Sequence, residues 1–120
     1  MVTPDLYLDV DGVVLYQKPN EWVLEMFKRI LPLFDRRFWL SCWTKTGDTE
    51  RLYSLHPELK FIDAKPLVWR REKFEAIDWV RPFIWIEDGV SEMDRAEFTI
   101  NAKPGQHIWE IRNGIGGKCL

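Results

Sequence analysis

Two carboxylates spaced i and i+2, Asp9 and Asp11 of Asp9-Val10-Asp11-Gly12, follow directly on the apolar run Leu6-Tyr7-Leu8. Anions this close disfavour each other's ionisation unless a cation neutralises them. Mg²⁺ suits hard oxygen ligands and commonly bridges protein carboxylates to a substrate phosphate, so the spacing fits phosphoryl chemistry. The same residues also fit a turn with solvated or capping side chains. A calcium loop starting at Asp9 is excluded, because Val13, Val14 and Asn20 would stand where a ligand, the glycine and the bidentate glutamate are needed.

A working dyad needs a phosphate-binding hydroxyl, a cation and further acid from other strand ends. The chain offers all three in a consistent order. Phe38-Trp39-Leu40-Ser41-Cys42-Trp43-Thr44 is a second apolar run, ending in hydroxyls at Ser41 and Thr44. Lys73 lies in Arg70-Arg71-Glu72-Lys73-Phe74, near the start of an expected helix. Phe83-Ile84-Trp85-Ile86-Glu87-Asp88-Gly89 is a third apolar run and again ends in paired acids and a glycine.

In these four elements the chain resembles the haloacid dehalogenase-like superfamily of phosphohydrolases. Its signature is an Asp-x-Asp-Gly strand end, a strand-end Ser or Thr, a Lys and a strand-end acidic pair. They match Asp9-Val10-Asp11-Gly12, Ser41, Lys73 and Glu87-Asp88, across residues 5 to 94. The resemblance implies that Asp9 attacks phosphorus to form an aspartyl-phosphate, and that Asp11 protonates the leaving oxygen and then activates water. It further implies that Ser41 binds the phosphoryl oxygens and that Lys73 neutralises charge on nucleophile and phosphate. Mg²⁺ would be held by the Asp9 carboxylate, the Asp11 carbonyl and Asp88. A loose phosphoryl transition state is helped chiefly by such positioning and electrostatics.

The last motif departs from two aspartates, so Glu87 would reach the metal through water or not at all. Glu92 and Asp94 are further candidate acids, and Lys65 is a rival for the lysine role. Lys73 is preferred because it precedes the third apolar run by a helix-length interval. Cys42 is a poor nucleophile candidate, since neither His56 nor His107 has a recognisable partner pattern, and it reads as a buried structural thiol. Cys42 and Cys119 lack metal-ligand spacing.

The elements that must position these residues alternate. Pro19 to about Phe34 reads as helix, with Trp22, Met26, Phe27, Ile30 and Leu31 on one face. Phe38 to Cys42 reads as a strand, Asp48 as the cap of a short helix through Leu55, and Leu59 to Ile62 as a short strand. Val68 to Val80 is expected to be helical, Phe83 to Ile86 a strand, Ser91 to Ala96 a helical turn and Phe98 to Asn101 a final strand. His107 to Ile111 fits helix and strand equally.

The alternation predicts an α/β fold with a mainly parallel central sheet and helices on both faces, its chemistry at the strands' carboxyl ends. The resemblance narrows this to a Rossmann-like three-layer sandwich of the haloacid dehalogenase-like type. Residues 1–112 should form a single catalytic domain and 113–120, which include Cys119, a flexible tail.

A chain of 120 residues holds one domain. Its formal charge of −2 gives no general attraction to nucleic acid or membrane. Seven Trp, seven Phe and three Tyr are enough rings to fill a small core and leave some to face a ligand. Of the tryptophans near the motifs, Trp43 and Trp69 are the better candidates for flat walls, while Trp85 alternates with Ile84 and Ile86 as a core residue would. No transmembrane run or signal-peptide pattern is present, which makes the cytoplasm the expected compartment.

Superfamily members often carry a cap domain inserted after the first or second motif. Here about 30 residues separate Asp11 from Ser41 and about 32 separate Ser41 from Lys73, which suffices for framework elements alone. The expected function is a capless, Mg²⁺-dependent phosphatase acting on a phosphomonoester, with an open site able to admit a phosphorylated macromolecule and nucleic acid only as substrate. Three other readings compete. The fold could serve as an inactive phosphate-binding or interaction module, or as a nuclease using Asp9, Asp11, Glu87 and Asp88 with two metal ions. A response-regulator receiver would need its phosphoacceptor on the third strand, where Ile62-Asp63-Ala64 lacks the surrounding pattern.

Overall fold

The computed structural model describes residues 2–16, 18–19 and 21–111. Strand β1 (Asp5–Leu8) is buried along its whole length, as its unbroken apolar run requires of an inner strand. A two-stranded antiparallel hairpin follows, β2 (Leu15–Tyr16) and β3 (Lys18–Pro19), and then helix α1 (Glu21–Ile30), which continues as a 3₁₀ turn over Leu31–Leu33. Next come β4 (Arg37–Trp39), α2 (Glu50–Leu55), a 3₁₀ helix over Pro57–Ile62 and β5 (Lys65–Pro66). A 3₁₀ turn over Lys73–Ala76 precedes β6 (Phe83–Glu87), α3 (Glu92–Asn101) and β7 (Gln106–Glu110).

Five strands form one sheet in the order β5-β4-β1-β6-β7, every pairing parallel. The strand order runs outward from β1 in both directions, so β1 and its two neighbours meet where the chain changes direction across the sheet. In open α/β sheets that reversal leaves a crevice at the carboxyl ends.

The pleat sends alternate residues into two cores. Leu6, Leu8, Trp39 and Ile86 face a core completed by Val23, Leu24 and Phe27 of α1, Leu52 of α2 and Leu59 and Ile62 of the 3₁₀ helix. Tyr7, Leu40, Phe83 and Trp85 face the other, closed by Trp69, Ile77 and Trp79 and by Phe98 of α3. The sheet is thus covered on both faces, and the aromatic load fills the second core, where Phe83 meets Tyr7, Trp79 and Phe98 ring to ring. Trp85 is fully buried, as its alternation predicts.

Several expectations for individual elements are corrected. Pro19 lies in β3, and α1 begins at Glu21. Trp22 is 74% exposed, because the inward stripe of α1 is Val23, Leu24, Phe27 and then Leu31. Leu59 to Ile62 is 3₁₀ helix and not strand: Pro57 starts it, and Leu59 and Ile62, three residues apart, are both buried. Val68 to Val80 holds only the 3₁₀ turn Lys73–Ala76. Phe98 to Asn101 is the last turn of α3, and the final strand is β7, which decides 107–110 as strand. The expected tail at 113–120 lies outside the described residues. Among the described residues, the β1–β4 connection holds β2, β3, α1 and a 3₁₀ turn, the β4–β5 connection holds α2 and a 3₁₀ helix, and no helix is long and apolar enough to cross a membrane.

Candidate active site

The chain leaves the sheet at three adjacent strand ends, those of β4, β1 and β6, where the strand order reverses. After β1, the Asp9 N–H still donates to Ile86 O at 3.1 Å, and Leu40 N–H donates to Leu8 O at 2.8 Å, so both neighbours grip the strand up to the point where Asp9 emerges. The chain then folds tightly, with Val10 O accepting from the N–H groups of Val13, Val14 and Leu15. Gly12 makes this turn possible: its φ is +76°, and a Cβ there would stand 2.3 Å from Asp88 Cγ. The Asp88 side chain at the end of β6 is therefore packed directly against the turn that carries Asp9 and Asp11.

Ser41 follows β4 and is 1% exposed. Its Oγ accepts from Trp43 N–H at 3.1 Å, a side-chain turn of the kind Ser favours, and its carbonyl accepts from the Trp69 indole at 3.2 Å. Thr44 is also buried and bonds back to Ser41 O.

Lys73 comes from the irregular connection between β5 and β6. Its Nζ lies 3.2 Å from Asp9 Oδ1 and 2.6 Å from Glu87 Oε2, bridging the ends of β1 and β6. The loop is held by side chains acting on its backbone. Glu75 Oε1 accepts from the N–H groups of Arg70, Arg71 and Glu72, and Asp94 Oδ1 accepts from Phe74 N–H at 2.9 Å. Glu72 Oε2 accepts from Ser91 Oγ at 2.8 Å, which ties the loop to the start of α3.

The electrostatics follow from burying two carboxylates around one ammonium. Burial opposes the Lys73 charge, but Asp9 and Glu87 outweigh it and hold its pKa above the usual lysine value. Burial pushes Glu87 up to about 9, with Asp9 adding to the rise and Lys73 opposing it. Asp11 is raised by burial; the Trp43 hydrogen bond pulls the other way and Asp9 adds to the rise. A half-buried acid held above its ordinary range is suited to proton transfer.

Asp9, Lys73, Glu87 and Asp88 are thus brought together with Asp11 and Ser41 at one edge of the sheet. Lys65 is exposed on β5, separated from β1 by β4. Glu92 is exposed, and Asp94 is buried and engaged with Phe74 and with the first turn of its own helix. Both Glu87 oxygens are taken, Oε2 by Lys73 and Oε1 by Asp88 N–H at 3.1 Å. Among the described residues, no group of three or more His, Cys, Asp or Glu side chains is arranged to hold a metal ion. Cys42 is half-buried rather than buried.

Sequence reasoning missed the part played by Trp43. Its indole N–H donates to both Asp11 oxygens at 3.1 Å, and the Arg51 guanidinium lies 4.8 Å over its ring. Its position two residues after a strand-end serine was the available signal. Trp69 is buried and packs under the site, so neither its place nor its indole bond fits an exposed wall for a ligand. Comparison of the chain with protein-family models, curated proteins and solved structures finds no match.

Proposed function

We propose that the chain is a Mg²⁺-dependent phosphomonoesterase of the haloacid dehalogenase-like kind, on a Rossmann-like sheet, working through an aspartyl-phosphate on Asp9. The observation that carries this reading is the Lys73 bridge. One ammonium, on a side chain 12% exposed, contacts the Asp9 carboxylate and a second acid from β6, at the strand-order reversal where Ser41 also emerges. A solvated turn would not need that arrangement, and a buried Lys–carboxylate cluster is a costly way to stabilise a fold.

The donors fit Mg²⁺ as an oxygen set. The donors are those the resemblance assigns, the Asp9 and Asp88 carboxylates and the Asp11 carbonyl, and the close packing of Asp88 on Gly12 sets Asp88 against the turn that carries Asp9 and Asp11. Two carboxylates and a carbonyl suit a cation that retains several waters, and need no cluster of three acidic side chains. When bound, the ion would offset negative charge between nucleophile and phosphate.

The chain's own residues supply the rest. Asp9 attacks phosphorus in line, and Lys73 lowers the repulsion between that carboxylate and the incoming phosphate. Ser41 donates its hydroxyl proton to a phosphoryl oxygen while its Oγ accepts from Trp43 N–H. Asp11 gives its proton to the departing oxygen and takes one from the water that cleaves the acyl phosphate. A two-metal nuclease is less well supported, because Glu87 is committed to Lys73.

The test is phosphate release from an activated aryl phosphate with and without Mg²⁺, run beside Asp9→Asn. Release that needs Mg²⁺ and falls by at least about 10³-fold in the variant is expected. Equal release by the variant would remove Asp9 as nucleophile, and no release by either protein would favour a phosphate-binding module.

A further inference from the structure

The general acid of a phosphatase must be held in line, and Asp11, half-buried at the rim of the turn, is held by the loop after β4. Trp43 Nε1 lies 3.1 Å from Oδ1 and 3.1 Å from Oδ2 of Asp11, so one N–H bisects the carboxyl group. The indole is itself fixed. The Arg51 guanidinium stacks 4.8 Å over its ring, His56 meets its edge with ring centres 5.7 Å apart, and its backbone N–H donates to Ser41 Oγ at 3.1 Å. A single residue therefore spans the acid and the phosphate-binding hydroxyl.

We propose that Trp43 is a positioning residue for Asp11, fixing the carboxyl rotamer and directing its proton to the leaving oxygen. The proposal rests on the phosphatase reading and adds to it the device that aims the acid. An indole nitrogen donates and cannot accept. It therefore binds whichever Asp11 oxygen lacks the proton and offers that proton no competing acceptor. A serine, asparagine or water in the same place could accept it and turn it away from the substrate.

In the first step an Asp9 carboxylate oxygen bonds to phosphorus as the bond to the bridging oxygen breaks, the electron pair leaving on that oxygen, which takes the proton from the Asp11 carboxyl. In the second, Asp11 takes a proton from water as the water oxygen bonds to phosphorus, and the Asp9–phosphorus bond breaks to restore the Asp9 carboxylate. Trp43 loses no proton in either step. Its contribution is the orientation of a group that must meet the leaving oxygen within hydrogen-bond reach.

The leaving group provides the discriminating measurement, because an alkoxide needs protonation and an activated phenolate does not. Trp43→Phe removes the indole N–H while keeping an aromatic ring for Arg51 and the backbone N–H for Ser41. For this variant kcat/KM, which reports the first chemical step, should fall about 10- to 100-fold with an alkyl phosphate and less than about threefold with p-nitrophenyl phosphate. Equal losses with both substrates would make Trp43 merely structural and overturn the proposal. A second readout does not depend on turnover. The Trp43 indole proton resonance should move upfield in Asp11→Ala, and an unmoved resonance would overturn the hydrogen bond on which the proposal stands. If the wild-type protein with Mg²⁺ released phosphate from neither substrate, the phosphatase reading would fall and the role of Trp43 in it, whereas wild-type turnover with equal losses in the variant would overturn the role of Trp43 alone.

Discussion

Glu87 sets stability against site chemistry. It is 1% exposed and bonded to Lys73, yet burial and the Asp9 carboxylate raise it from the usual 4.5 to about 9. In metal-free buffer the folded protein therefore holds a proton here that the unfolded chain releases above about pH 4.5. Because the folded state binds more protons, stability must fall as pH rises through the window from 4.5 to 9. One such group contributes a slope of at most about 1.4 kcal/mol per pH unit. Glu87→Gln keeps the shape and abolishes the titration, so urea unfolding followed between pH 5 and 9 should show a flatter dependence than wild type. Identical slopes for the two proteins would mean that Glu87 is ionised throughout and that Lys73 compensates it fully.

The loop that delivers Lys73 is where sequence and structure part most, and the cause is local. Phe74, Ile77 and Val80 have helical spacing, but Val80 is 82% exposed, and while the Glu75 and Ile77 N–H groups donate three residues back within the 3₁₀ turn, six others of the loop go to side chains. Glu75 takes three of them, Asp94 the Phe74 N–H, Tyr7 the Asp78 N–H and Asp78 that of Val80. Side chains that capture backbone donors compete with helix, and an apolar stripe does not reveal that competition. At 98–101 the reverse holds: Thr99 and Ile100 suggest a strand, and the segment is helix. The Ser91 cap, which accepts from Asp94 N–H, and the lack of a breaker before Pro104 carry the helix through them. By contrast β1, the run leading to Ser41 and β6 were legible because burial on both faces leaves an unbroken apolar run, and the places of Asp9, Ser41, Glu87 and Asp88 were legible because they close those runs, whereas the loop that carries Lys73 was not. Glu75 makes the loop testable. Its three backbone bonds lower its pKa, so its support is present above the usual glutamate value and lost as pH falls through the folded value. Glu75→Ala should speed amide exchange at Arg70 to Glu72 and lower kcat with the aryl phosphate at least about tenfold by loosening Lys73. Full activity with fast exchange would show that Lys73 is held by Asp9 and Glu87 alone.

Across the whole molecule, the two ends of the sheet carry charge for different purposes. At the carboxyl edge Asp9, Glu87 and Lys73 form one ion-paired group, with Asp88 beside it. At the amino edge Asp5 is fully buried, with Arg81 Nε donating to both its oxygens at 3.1 and 3.2 Å and Arg36 Nε 3.5 Å away. Asp5 opens β1 and Asp9 directly follows its last residue, so the length of the strand keeps the two clusters apart. Arg81 precedes β6 and Arg36 precedes β4, so this cluster fastens the starts of the three strands whose far ends bear the site. Its removal should therefore cost stability and leave the chemistry alone. Asp5→Ala deprives Arg81 of a buried partner and is expected to destabilise the fold by ~2 kcal/mol. For a domain of this size that corresponds to a fall in Tm of roughly 6–10 °C. Sites this far apart and without shared partners act nearly additively, so kcat with the aryl phosphate, measured well below the melting transition, should stay within about twofold of wild type. A matching loss of kcat in fully folded Asp5→Ala would mean that β1 transmits displacement from one edge to the other. The site would then be set by the strand's register as a whole and not by the contacts at its carboxyl end.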